Sequence, residues 1–380
     1  MQKRAKQRIL ILVCLVFSTG LFVENSVAAG DQHADVITES EVASTIRPLI
    51  DEGLHVGVAI GLISRKGQAV YGFGSVRRGE NVAPDRDTVF ALASVTKVFT
   101  GTLLADTVLQ GRIRLNEPIG PFLPARVTAH HGAVTRITFL DLATHTSGLP
   151  RMVPRKGRMV GWTPRQPMTL QEMYTFLSTF KLPPDKKPEF VYSNLAIALL
   201  GHTLALINHQ SYEAMLQQQI CGPLKMNSTR VWPSENMRRH LVQGYDKFNQ
   251  PVTPQKLLVG KSSGGLYSTA GDMLKFLAAN LGLVDADIVK AMEFAQVPRR
   301  LVNEKKNAYM GLTWHVHKAQ GRDIVAKNGG IPGFQSYVAF SARDKVGVVA
   351  LANSSPKGRR LDVAARKLLQ KMIDAKRSPT

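Results

Sequence analysis

A hydroxyl attacks a carbonyl only when something nearby takes its proton, and a lysine one helical turn away can do so. The pattern Ser-x-x-Lys supplies such a pair three times in the 380 residues: Ser94-Val95-Thr96-Lys97, Ser178-Thr179-Phe180-Lys181 and Ser354-Ser355-Pro356-Lys357. At this spacing on a helix the two side chains share one face. Ordinary composition produces the pattern by chance, so its surroundings must decide. Only the first copy opens a long apolar stretch, 94 to 110, in which Lys97 and Asp106 are the sole charges before Gly111. Burial there lowers an ammonium pKa and makes a neutral amine available as base. The start of a helix also brings backbone N–H groups and the positive end of the dipole to Ser94. The other two copies lie beside Pro-rich or exposed segments, where a solvated lysine is the better description.

Two further clusters carry complementary chemistry. Tyr192-Ser193-Asn194 is the one Tyr-x-Asn among eight tyrosines and directly precedes the apolar run Leu195 to Leu200. A phenol is a poor base at its ordinary pKa near 10 and needs cations beside it. Taken alone, a core aromatic at Tyr192 and a helix cap at Asn194 describe the segment better. Lys327-Asn328-Gly329-Gly330 falls on an expected late strand. A strand edge offers backbone N–H groups, and glycine lets a substrate approach the backbone closely. Lys327 can hold a carboxylate and stabilise a phenolate; taken alone, a tight turn with an exposed lysine fits equally well.

Competing motifs are weaker. Gly260-Lys261-Ser262-Ser263-Gly264 matches a Gly-x-Ser-x-Gly nucleophile elbow, with His315 or His317 as partners. An elbow requires a helix directly after it and parallel strand–helix alternation before it, and neither pattern is present. His315 and His317 share one face of a strand, but no third metal ligand follows at characteristic spacing. Cys221, in Gln219-Ile220-Cys221-Gly222-Pro223-Leu224, reads as a buried structural thiol at a helix end. No cofactor and no metal are expected.

These residues must be positioned by a fold. A capped helix is expected over 38–52, with Thr38, Glu41 and the apolar spacing Val42, Ile46, Leu49. Strands Val56 to Ile63 and Gln68 to Phe73 flank a Lys66-Gly67 turn. The apolar stretch 94–110 reads as a buried helix. Helices are expected near 136–144, 169–180, 194–209, 211–220 and 270–281, separated by Pro-rich loops. Strands return at Gly311 to His317, Asp323 to Ala326, Gln335 to Phe340 and Val346 to Ala352, and a basic amphipathic helix, Leu361 to Ala375, closes the chain. The economical topology is an α/β (α+β) arrangement. One antiparallel sheet is built from both chain ends (about 36–93 and 311–380), flanked by helices and carrying a mainly helical inserted part (about 94–310).

The first 28 residues read as a signal peptide. Lys3, Arg4, Lys6 and Arg8 precede an uncharged run from Ile9 to Val23, and Ser26-Val27-Ala28-Ala29 offers small residues for cleavage. That run is shorter than the roughly 20 residues a membrane span needs. An exported protein, periplasmic or secreted, whose one domain occupies 29–380 is therefore expected. Cys14 falls in the signal, preceded by Val13 rather than a small residue, so Cys221 is left alone and no intrachain disulfide can form. The net charge is +21; the signal holds four basic residues and one acid, Glu24, so the remainder carries +18. Such a balance points to an anionic partner, such as a cell-envelope surface. The basic residues are scattered, without aromatic interleaving or zinc spacing, which argues against nucleic acid.

The order of the three clusters is more specific than any one of them. A helix-start Ser-x-x-Lys, a Tyr-x-Asn 98 residues later and a Lys-x-Gly on a late strand resemble the serine β-lactamase and penicillin-binding-protein superfamily, class C branch. The segment Leu142-Ala143-Thr144-His145-Thr146-Ser147-Gly148-Leu149-Pro150 is similar to that branch's turn before the active-site wall. Ser263-Gly264-Gly265-Leu266-Tyr267-Ser268-Thr269 with Gly271-Asp272-Met273 is similar to its second-half signature. The likeness spans about residues 40–370 and is nearest to periplasmic D-alanyl-D-alanine carboxypeptidase/endopeptidases. It implies Ser94 as nucleophile, Lys97 and Tyr192 as a shared base, and Asn194 as orienter of Lys97 and the substrate amide. It also implies Lys327 as carboxylate holder and an oxyanion hole from the N–H groups of Ser94 and Gly330, with Asn328 and Gly329 lining the same strand. Peptidoglycan peptides or β-lactams are the implied partners. A class C β-lactamase, an esterase or D-amino-acid amidase on this scaffold, and a non-catalytic penicillin-binding sensor remain alternatives. The sequence departs from the family at Asn328, where Thr is usual, and carries Met152 near a customary polar contact.

Overall fold

The computed structural model describes residues 37–128, 132–155, 158–159, 167–182, 189–253, 257–319, 321–355 and 360–375. The expected signal segment lies outside the described residues. Helix α1 (Glu39–Asp51) starts as its sequence requires: Thr38 accepts from Glu41 N–H, and the Glu41 carboxylate accepts from Thr38 N–H at 2.9 Å. Strands β1 (Gly57–Ser64) and β2 (Gly67–Gly74) follow as a hairpin. The short β3 (Val89–Ala91) leads into α2 (Thr96–Leu109). Then come α3 (Phe139–Ala143), α4 (Leu170–Thr179), α5 (Asn194–Ile207), β4 (Tyr267–Thr269), α6 (Ala270–Asn280) and α7 (Val289–Gln296). The chain ends with β5 (Arg300–Asn303), β6 (Ala308–Met310), β7 (His315–Ala319), β8 (Arg322–Ile331), β9 (Phe334–Ser341), β10 (Val346–Ala352) and α8 (Arg360–Ala375).

Eight of these strands form one antiparallel sheet in the order β2-β1-β10-β9-β8-β7-β6-β5. The two chain ends meet between its second and third strands, where β1 pairs with β10 from Val58↔Ala352 to Ile63↔Gly347. The expected fold class is therefore the one observed. Strand alternation sorts side chains to two cores. Val58, Ile60 and Leu62 pack with Val348, Ala350, and the faces of α1 and α8 that bear Ile46 and Leu368. Ala59, Ile63, Val349 and Leu351 face the central helices. Gly61 leaves room for α6, since a Cβ there would lie 3.0–3.2 Å from the Leu274 side chain. Helix α2 is the central pillar, buried from Thr96 to Ala105. Two of its threonines are satisfied by back-bonding, Thr102 to the Val98 carbonyl at 2.9 Å and Thr107 to the Leu103 carbonyl at 2.8 Å.

Several boundaries differ from expectation, each for a local reason. The helix expected from 94 opens as a 3-10 turn, Ala93–Val95, because the chain must turn sharply out of β3; Ala93 adopts φ 47°. The strand expected from Gly311 begins only at His315, and Thr313 takes φ 69° in the loop before it. The strand expected over Asp323–Ala326 runs on to Ile331 and so carries Lys327 to Gly330. Residues 300–310, assigned to the helical part, instead add β5 and β6 to the sheet edge; such short edge strands give almost no periodic signal. The helix expected over 211–220 becomes π-helical at Leu216–Cys221. Among the described residues no helix is long and apolar enough to cross a membrane.

Candidate active site

The positive-φ turn at Ala93 delivers Ser94 to the mouth of α2, half-buried, with Lys97 one turn below it and fully buried. Lys97 Nζ lies 3.1 Å from Ser94 Oγ and 2.8 Å from Asn194 Oδ1, and it donates to the Ser263 carbonyl. Asn194 Oδ1 and the Ser263 carbonyl only accept, so they use two N–H groups. A neutral amine held by both keeps its lone pair for the Ser94 hydroxyl. The Ser262 carbonyl, one residue earlier, accepts from Thr100 at 2.6 Å and fastens the same turn to α2.

Tyr192 and Asn194 arrive on the N-terminus of α5, which Ser193 caps by accepting from Ala196 N–H. Tyr192 Oη donates to Ser94 Oγ at 2.9 Å. The Ser193 hydroxyl donates to the Pro150 carbonyl at 2.7 Å, and the Arg151 carbonyl accepts from Asn194 N–H at 3.0 Å and Leu195 N–H at 3.2 Å. The loop after α3 and the start of α5 are thereby one unit. His145, buried at φ 60°, completes it: its Nδ1 accepts from Ser193 N–H at 3.2 Å and its ring lies 4.6 Å from that of Tyr192.

The second wall is β8. Its pairing with β7 ends at His315↔Ala326, while pairing with β9 continues to Ile331↔Phe334. From Lys327 onward one edge of the strand is therefore not covered by β7. Lys327 is buried and donates to the Thr313 carbonyl at 3.0 Å, whereas Asn328 is exposed, on the opposite face. Gly329 is where strand and nucleophile touch: a Cβ there would lie 2.5 Å from the Leu92 carbonyl and 2.9 Å from Ser94 N. Gly330, next along, is exposed.

Electrostatics follow from burial. Lys97 sits in a dry site that pushes its pKa well below the usual ammonium range, and the nearby Arg151 pushes the same way. Burial lowers Lys327 to about 8, against the opposing influence of Tyr192. His145 is held far down, first by burial and then by Lys327, Lys97 and His315, so its imidazole is neutral. Three basic side chains surround the Tyr192 ring, with Lys97 Nζ at 5.1 Å, Arg151 Cζ at 5.3 Å and Lys327 Nζ at 5.4 Å from its centroid.

Ser94, Lys97, Tyr192 and Asn194 thus meet at one hydroxyl, with Lys327 beside the Tyr192 ring and Gly329 against the Ser94 amide, whereas Asn328 is turned to the opposite face of β8. The other motifs fall elsewhere. Ser178 bonds the Thr175 carbonyl within α4, and Ser354 accepts from Val56 N–H as a structural tie. Ser262 is buried and donates to the Ile197 carbonyl at 3.1 Å. Cys221 is buried, and burial raises its thiol pKa. Among the described residues no three His, Cys, Asp or Glu side chains cluster closely enough to hold a metal. Sequence reasoning missed Thr313, Arg151 and the individual role of His145. The Leu142 to Pro150 run contained His145 without marking it, and nothing in the sequence signals that Thr313 or the Ser263 carbonyl serves a lysine.

The chain matches the Beta-lactamase family over residues 42–371. It is 32% identical over 347 residues to the D-alanyl-D-alanine-carboxypeptidase/endopeptidase AmpH of Escherichia coli (strain K12), covering 85% of this chain and 87% of that one. It is 25% identical to a beta-lactamase of Psychrobacter immobilis, covering 92% and 91%. The fold is similar to that of a Pseudomonas syringae beta-lactamase/D-alanine carboxypeptidase, with TM-score 0.76, 24% identity and coverage of 90% and 99%. It is also similar to that of a class C beta lactamase from Rhodobacter sphaeroides, with TM-score 0.77, 24% identity and coverage of 89% and 100%.

Proposed function

The chain belongs to the beta-lactamase family and is a serine hydrolase, and from that premise we propose that it cleaves D-alanyl peptides of peptidoglycan through an acyl-enzyme on Ser94. The observation that carries this reading is the convergence of one amine and a phenol on one hydroxyl, with a second buried amine beside the phenol. Lys97 Nζ and Tyr192 Oη stand at 3.1 and 2.9 Å from Ser94 Oγ, and Lys327 lies beside the phenol.

The Ser94 hydroxyl passes its proton to the Lys97–Tyr192 pair as Oγ bonds to the substrate carbonyl carbon. The carbonyl oxygen becomes an oxyanion, held by the N–H groups of Ser94 and Gly330, where one such donor is worth about 2.7–4 kcal/mol. The pair then returns the proton to the leaving nitrogen as the C–N bond breaks. Water, activated by the same pair, hydrolyses the ester and restores Ser94. Asn194 holds Lys97 through Oδ1 and offers its amide to the substrate. Lys327 attracts the terminal carboxylate, and Asn328 and Gly329 line the strand edge beside it.

A β-lactam satisfies the same requirements, and its hydrolysis depends on how fast the acyl-enzyme reacts with water. We assign export to the first 28 residues and a periplasmic or secreted location to the rest; the +18 charge favours association with anionic envelope polymer. The test is to incubate the protein with a peptide ending in D-alanyl-D-alanine and with a chromogenic cephalosporin. Release of D-alanine at a rate exceeding cephalosporin turnover supports the peptidase. Fast cephalosporin turnover without D-alanine release assigns a β-lactamase, and acylation without turnover of either assigns a sensor.

A further inference from the structure

Arg151 is the one cation of the site that is exposed, and it has no assigned role. Its guanidinium carbon lies 5.3 Å from the Tyr192 ring centroid. Among the described residues it pairs with no carboxylate. Its backbone is fastened: its carbonyl caps α5 through Asn194 and Leu195, and the preceding Pro150 carbonyl accepts from Ser193. A charged head on so anchored a base loses less freedom on binding than one on a loose loop. Its neighbour Met152 touches Asn194, with Asn194 Nδ2 3.7 Å from the Met152 sulfur. Arg151 therefore adjoins the residue assigned to the substrate's acyl-side amide, whereas Lys327 belongs to the strand wall and the Thr313 carbonyl.

We infer that Arg151 forms an anion subsite on the acyl side of the site, selecting peptides that carry a carboxylate on the residue preceding the D-alanyl-D-alanine pair. The subsite rests on the Ser94 reading above. A planar guanidinium matches a carboxylate in two-point geometry, and no acid among the described residues pairs with it. Met152 beside it offers an apolar, adaptable surface for the stem of such a side chain.

The test uses two isosteric peptides, acetyl-Glu-D-Ala-D-Ala and acetyl-Gln-D-Ala-D-Ala, whose only difference is one charge. The wild-type protein is expected to favour the Glu peptide in kcat/KM by about fivefold at low ionic strength, the upper range for an exposed ion pair. That preference falls as salt is added. Arg151→Met should bring the ratio to about one, and Arg151→Lys should keep part of it. Because the ratio compares two substrates on the same free enzyme, any change in Lys97 basicity caused by the substitution cancels. Where turnover is slow, the same comparison is read from competition of the two peptides against acylation by a fluorescent penicillin. A wild-type ratio of one, or a preference that survives Arg151→Met, overturns the subsite. Cleavage of both peptides by Ser94→Ala would instead overturn the underlying mechanism.

Discussion

Lys97 and Lys327, the two buried amines of the site, are tied to each other through Thr313. Its hydroxyl donates to the Lys97 carbonyl at 2.8 Å and its own carbonyl accepts from Lys327 Nζ at 3.0 Å. Thr313 also donates its N–H to the Ala143 carbonyl at 3.1 Å, which fixes the approach to His145. It holds φ 69°, costly for a β-branched residue. Gly101 lets α2 close onto this loop, since any Cβ there would overlap the Leu312 carbonyl. Strained backbone at this point buttresses helix and strand against each other.

Burying the Lys327 ammonium has a stability cost. Its folded pKa of about 8 lies below the ordinary 10.5, so the folded state holds fewer protons between these values. The penalty, about 3 kcal/mol, is fully present below pH 8 and fades as pH rises toward 10.5. Lys327→Met should therefore raise Tm at neutral pH by about 2–4 °C, after the lost bond to Thr313 is subtracted. The gap from wild type should narrow above pH 8. The same substitution should raise KM for carboxylate-bearing substrates, and wild-type kcat/KM should fall as pH climbs past about 8. Melting curves and pH profiles read both.

Lys97 acts as a base only when neutral, so kcat/KM should rise with pH through its depressed pKa. Burial is the main cause of that depression and Arg151 the second. Arg151→Met removes one nearby cation, which raises the Lys97 pKa and moves the acid limb of the profile to higher pH. A limb that stays put, measured with the uncharged Gln peptide, would contradict the electrostatic link.

Gly329→Ala would drive a methyl group against the Leu92 carbonyl and the Ser94 amide. We expect a loss of about 1–3 kcal/mol of stability from overpacking and about 100-fold in kcat/KM from displacement of the nucleophile. Chemical denaturation and steady-state kinetics on the same preparation separate the two.

Cys221 is buried and its thiol is pushed up by burial, with Asp272 and Glu213 adding to the effect. The native protein should resist thiol reagents and react only on unfolding. Cys221→Ala should keep activity within about twofold, since among the described residues the thiol's hydrogen-bond partner is the Thr229 carbonyl, at 3.7 Å.

The sequence was readable where chemistry or periodicity repeats itself. Ser94 and Lys97 stood out because an isolated lysine opens an otherwise apolar helix. Strands β1 and β10 stood out because short apolar runs bounded by turns fit buried strands and little else. Tyr192 and Lys327 gained meaning only from their order relative to Ser94. What stayed hidden depends on backbone atoms and tertiary contact. The Ser263 carbonyl that holds Lys97 is the same atom in every residue type, and Thr313 matters through its φ angle and its N–H, neither of which has a sequence signature. The Gly260 to Gly264 motif, rightly set aside as a nucleophile elbow, hid its actual part for the same reason: its serine side chains bond backbone carbonyls, and it serves the site through its own carbonyls. Strands β5 and β6, at three or four residues each, are too short to show a period.

The most direct measurement is the intact mass of the protein after brief exposure to benzylpenicillin, followed by peptide mapping. A single adduct of one penicillin mass on the peptide containing Ser94, absent from a Ser94→Ala variant that melts at the wild-type temperature, is the predicted result. An adduct that persists in that variant, maps to another residue, or never forms in the wild-type protein would contradict the account.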